Sequence, residues 1–137
     1  MNERSQGRRR SWLILLWAWR VLLTLAAAGY LFQAVSAGQF LQGDYDFLQI
    51  HQLGTTTLDA VMFLAVVAAG LLKWAARGPL LPFLGTLGVL LLSQAQSGTG
   101  AARVVWLHVP LGVVLVGLVW LLAWYAWTLP TTRESRR

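Results

Sequence analysis

The stretch VVWLHVPLGVVLVGLVWLLAWYAWTLPTT, residues 104–132, carries no charged side chain and holds one histidine, His108, near its start. A hydrocarbon core about 30 Å thick needs roughly 20 apolar residues of helix to cross it. The run exceeds that length and does not alternate as a barrel strand would, so it reads as a membrane-spanning helix. Three more uncharged runs precede it: Val21 to Gly43, Gly54 to Leu72 with Asp59 as its one interruption, and Gly78 to Ala102. The expected fold class is an all-α integral membrane four-helix bundle built from two repeated helical hairpins.

Composition agrees with this reading. Of 137 residues, 57% are apolar and 12% charged, against about 25% charged in a soluble domain. The formal net charge of +6 is no nucleic-acid stripe, because every Lys and Arg except Arg103 falls near the N-terminus up to Arg20, between Lys73 and Arg77, or in the last five residues. Nucleic acid is thus excluded as a partner and the lipid bilayer implied. The absence of cysteine excludes disulfides, thiolate metal sites and Cys nucleophiles.

Short loops rich in Lys and Arg stay in the cytoplasm. Arg4, Arg8, Arg9, Arg10 and Arg20, then Lys73 and Arg77, then Arg133, Arg136 and Arg137 all point inward, whereas the other side holds Asp44, Asp46 and Arg103. The residues Trp12, Trp17, Trp19, Trp74, Trp124 and Trp127 fit the inner interface, where amphipathic rings are best solvated. The organisation expected is a basic, Trp-rich cytoplasmic N-terminus over 1–20, a four-helix bundle over 21–129 and a basic cytoplasmic tail over 130–137, in a bacterial inner membrane. A rival reading takes RRRSWL and its apolar sequel as a secretory signal cleaved near Ser36, which would leave three spans.

The two halves share an order of residues. Gln33 and Gly38 end a span, a loop follows, and His51 and Gly54 open the next; Gln94 or Gln96 and Gly98 end a span, a loop follows, and His108 and Gly112 open the last. An axis along the membrane normal would relate two such halves and set both histidines at the same depth. Two neutral imidazoles facing each other across a bundle core are what a flat metallo-macrocycle needs, one axial nitrogen from each side of the iron. At 100° per residue the stripe below His51 runs Gly54, Thr55, Leu58, Met62, Ala65, Ala69, and that below His108 runs Gly112, Leu115, Val119, Leu122, Ala126, a slot with an oily floor.

Alternatives stand beside the haem reading. Taken singly, either histidine also fits the pattern of an interfacial polar residue that binds nothing; the duplication and shared depth are what favour haem. A zinc or copper site is weaker, since structural zinc wants four ligands. Arg103 suits either a haem propionate or a lipid phosphate. Asp59 suits a protonated acid bonded to Thr55 or to another helix, a neutral packing residue, or part of a proton path. The glutamines read as inter-helix bonders or partners of the imidazoles, and Pro110 as the residue that sets the direction of His108.

The segment LLLSQAQSGTGAARVVWLHVPLGVVLVGL, residues 90–118, resembles the helical hairpins of haem A synthase. In length and layout the chain is still more similar to small four-helix bacterial membrane proteins that look like one half of that enzyme. The resemblance spans roughly Val21 to Trp127 and implies bis-histidine ligation of haem b near the outer leaflet by His51 and His108. The enzyme's catalytic half places an acidic residue about one turn before its first histidine, where this chain has Leu48 and Ile50, so the resemblance carries the haem pocket rather than haem oxidation. Three functions follow as expectations: a haem protein for electron transfer or haem handling in a respiratory or haem-handling membrane complex, a haem-free accessory subunit, and a half-length oxygenase acting as a homodimer. Gly29, Gly38, Gly85 and Gly88 offer the small outward positions such a dimer would use, and Met62 is the next ligand candidate.

Overall fold

Uncharged runs of this length have no partner for their backbone polar groups except themselves, so each winds into a helix. A computed structural model describes residues 3–131 and, among them, contains four α-helices and no strand: α1 Glu3–Leu41, α2 Asp46–Trp74, α3 Leu81–Ala101 and α4 Val105–Thr128. The turns are short, which makes consecutive helices antiparallel neighbours. Gly43 ends α1 at φ +104°, a conformation only glycine adopts without penalty. Arg77 (φ 55°) and Arg103 (φ 57°) take the left-handed position in the other two turns, at about 1 kcal/mol each.

Packing closes a ring. Helix α1 packs on α2 and α4, and α3 packs on the same two, so α1 faces α3 and α2 faces α4 across the diagonals. The α2 stripe of Leu58, Met62, Ala65 and Ala69 and the α4 stripe of Leu115, Val119, Leu122 and Ala126 are all buried. Side chains join across the α1–α3 diagonal as well: Trp19 Nε1 donates to Thr86 Oγ1 at 3.0 Å, and Tyr30 Oη to Ser93 Oγ at 2.8 Å.

Three helical segments, Gln6–Leu41, Asp46–Trp74 and Val105–Thr128, are long and apolar enough to cross a membrane. The remaining helix, α3, falls below that measure of hydropathy. Its 21 residues reach about 31 Å, enough to span, but its C-terminal part, SQAQSGTG, is polar and lowers its hydropathy. Helix α1 also runs unbroken through the boundary expected at residue 20, and Trp12, Leu16 and Trp19 belong to the core. Two of the glycines expected on an outward face are turned inward. A Cβ at Gly29 would lie 2.5 Å from Leu58, and one at Gly85 would lie 3.1 Å from Leu122, whereas Gly38 and Gly88 face open space.

The first and last helices are sewn together at the end carrying the termini. Arg20 is 3% exposed; its Nε donates to Ala126 O at 3.0 Å and its Nη2 to Leu129 O at 2.6 Å. These carbonyls close α4, where backbone acceptors lack helical partners and the helix dipole is negative. Trp17 and Trp127 flank the guanidinium at 5.3 and 5.1 Å, Trp127 Nε1 donates to Thr24 Oγ1 at 3.2 Å, and Trp12 Nε1 to Pro130 O at 3.3 Å.

Candidate functional site

At the opposite end, where the α1–α2 and α3–α4 hairpins turn, His51 on α2 and His108 on α4 meet across the diagonal. Their ring centres are 6.4 Å apart with an interplanar angle of 71°, and both residues are half-buried. Each is oriented by the helix before it. The Ser36 hydroxyl bonds Gln33, at 2.9 Å from its carbonyl and 3.2 Å from its side-chain oxygen, and lies 3.0 Å from His51 Nδ1. The Gln96 carbonyl, which can only accept, lies 2.9 Å from His108 Nδ1, with Thr99 Oγ1 at 3.4 Å. The carbonyl holds the His108 proton on Nδ1 and leaves Nε2 a lone pair, the tautomer of a metal-ready histidine; His51 takes the same tautomer when Ser36 donates to Gln33.

One local bond occurs in both hairpins, a hydroxyl on the carbonyl of the glutamine three residues before it. Thr99 Oγ1 donates to Gln96 O at 2.8 Å as Ser36 does to Gln33 O, so Gln33 and Ser36 correspond to Gln96 and Thr99. Sequence reasoning missed this Gln-x-x-hydroxyl spacing because Ser36 read as a small residue of a cleavage motif. The ambiguity between Gln94 and Gln96 also resolves: Gln94 is exposed, and Gln96 reaches the histidine. Gln33 Nε2 donates to His51 O at 2.9 Å and Thr55 Oγ1 at 3.0 Å. Gln96 Nε2 lies 3.4 Å from His108 Nε2, and its Oε1 is buried with no partner among the described residues.

Gly54 and Gly112 let these amides approach. A Cβ would stand 2.9 Å from Gln33 Nε2 at Gly54 and 2.9 Å from Gln96 Nε2 at Gly112. Gly54→Ala forces Gln33 off two good acceptors, so destabilisation of about 1–2 kcal/mol is expected. Gly112→Ala displaces only a long contact and should cost under about 1 kcal/mol. Unfolding of the two variants in detergent micelles measures the difference; the reverse ranking would contradict this assignment.

A cavity of about 340 Å³ descends from this level through the core, at the lower end of ligand-pocket sizes. His108, Gln33 and Gln96 line its upper part, and Leu58, Leu115, Val116, Tyr30 and Ser93 its lower part; His51 stands at its rim rather than on its wall. The floor is not wholly oily. Tyr30 donates to Ser93, whose hydroxyl donates to Asp59 Oδ1 at 3.1 Å, so Asp59 bonds α3 rather than Thr55. Met62 is fully buried but does not line the cavity. Arg103 lies exposed in the α3–α4 turn at the same end of the bundle. Among the described residues no group of three or more His, Cys, Asp or Glu side chains gathers to hold a metal ion, so a zinc site of ordinary ligand number has no candidate there.

Comparison of the chain with protein-family models, with curated proteins and with solved structures gives no match.

Proposed function

We propose that this is a membrane protein of four spans and two repeated hairpins, with both termini cytoplasmic, that binds one haem b between His51 and His108 near the outer leaflet. The observation that carries this reading is the histidine pair: two rings from facing helices, each bonded at Nδ1 by the preceding helix, with centres 6.4 Å apart. Two imidazoles on opposite sides of one metal, each bonded at about 2.0–2.1 Å, set their ring centres roughly 6 Å apart. A haem held by His51 and His108 would supply one-electron exchange. Ser36 and the Gln96 carbonyl hold the two rings in place, while the Gln96 amide must swing from His108 Nε2 to admit a metal. The apolar lower cavity receives the hydrocarbon edge of the macrocycle, and Arg103 at the hairpin end is the cation for a propionate.

The role follows as electron transfer or haem handling within a respiratory or haem-handling complex of a bacterial cell membrane. Neither a carboxylate one turn before His51 nor an open iron position is at hand for oxygenase chemistry. The test is to purify the full chain from membranes with haem supplied and measure its absorption: a Soret band at one haem per chain is expected. Its absence would favour the haem-free accessory subunit.

The orientation has its own test. Since the chain has no cysteine, Tyr45→Cys should react with an impermeant maleimide on intact cells and Arg77→Cys only after lysis. Labelling of both from outside would refute cytoplasmic termini.

A further inference from the structure

Four seams separate the helices of the ring, and at the level of the cavity three are closed by side-chain hydrogen bonds. Gln33 and Ser36 bond residues of α2, Ser93 of α3 bonds Asp59 of α2, and Gln96 and Thr99 of α3 bond His108 of α4. The α1–α4 seam has no such bond there among the described residues. Its side-chain hydrogen bonds and ring contacts join residues 12–24 to residues 126–130, at the far end. The exposed residues of the cavity wall, Ala34, Val109 and Val113, all lie on α1 and α4. The cavity therefore opens sideways through this seam, between apolar lips that in a bilayer face lipid. Helices α1 and α4 are not consecutive among the described helices, so no turn joins them directly and they part without straining a loop.

We propose that the site exchanges its haem with the bilayer, sideways through the hairpin half of the α1–α4 seam, and that Arg20 with its tryptophans is the hinge that keeps the other half shut. The inference rests on the haem reading above. It makes the ligand's source the hydrocarbon phase: a membrane-dissolved macrocycle slides in with its apolar edge foremost and its carboxylates trailing toward the surface. Water-soluble delivery finds the hairpin end occupied by the Ser36, Gln96 and Thr99 bonds to the histidines.

The test uses Ala34→Cys/Val113→Cys in the full chain, reconstituted in phosphatidylcholine vesicles and bridged with a short bis-maleimide, beside the unbridged protein and each single variant capped with N-ethylmaleimide. Haem capture from haem-loaded vesicles is read as the growth of the Soret band. Bridging is expected to slow capture at least about tenfold, as when binding must await a conformational change, and bridging after loading should slow release to apomyoglobin by a similar factor. Capture by the bridged protein as fast as by the unbridged would overturn the port while leaving the haem site intact. If wild-type protein captures no haem at all, the haem reading fails and takes the port with it. Should the double variant not fold, Val113→Trp narrows the same mouth at a position that is 70% exposed and should slow capture in the same sense; unaltered capture would count against the port.

Discussion

His51→Ala and His108→Ala should each abolish the low-spin haem spectrum and weaken haem retention by more than about 100-fold, beyond what loss of a supporting hydrogen bond costs. The equality of the two effects is the informative part. The rings come from facing helices, each held at Nδ1 by a polar group five residues inside the end of the preceding helix, Ser36 on α1 and Gln96 on α3, so neither is a bystander if a metal lies between them. Ser36→Ala should produce the graded result: the imidazole remains but loses its Nδ1 partner, and affinity falls by about tenfold. Titration of each purified variant with haemin measures all three. A normal spectrum in either alanine variant would require another ligand, and the nearest thioether, Met62, is sealed in the core away from the cavity.

Arg20→Met should be the most destabilising single change at the other end of the bundle, by roughly 2–4 kcal/mol. The substitution keeps an unbranched apolar stem but removes two charge-assisted bonds, at 3.0 and 2.6 Å, and leaves unpaired the carbonyls of Ala126 in α4 and of Leu129 just past it. It also removes the cation from between Trp17 and Trp127. Arg20→Lys restores the charge but not the forked donor geometry, so it should recover part of the loss. Unfolding in mixed micelles followed by tryptophan fluorescence gives the values; a change below about 0.5 kcal/mol for Arg20→Met would show the clamp to be incidental.

What could be read from the sequence was the part governed by period and spacing. The stripes below His51 and His108 lie where 100° per residue puts them, because a helix in this bundle has one inward face and the small residues on it have no other use. Reading by position alone failed where tertiary partners override composition. Arg20 counted as one more cytoplasmic charge, yet it is buried because α4 ends on unpaired carbonyls that a sequence does not reveal. The tryptophans near it read as an interfacial belt, but Trp19 is a core residue with Thr86 as its acceptor. Four spans were expected from uncharged runs, and α3 falls short in hydropathy because Ser93, Gln96 and Ser97 face the cavity rather than lipid. The Tyr30–Ser93–Asp59 chain joins three helices and leaves no trace in any one of them.

The central claim, one haem held between His51 and His108, is tested most directly by low-temperature electron paramagnetic resonance of the ferric protein. Imidazole planes at 71° are close to perpendicular. A low-spin signal of the strongly anisotropic kind is therefore expected, its largest g value displaced to low field, at one spin per chain and lost in both alanine variants. A high-spin signal, or no haem signal after saturation with haemin, would contradict it.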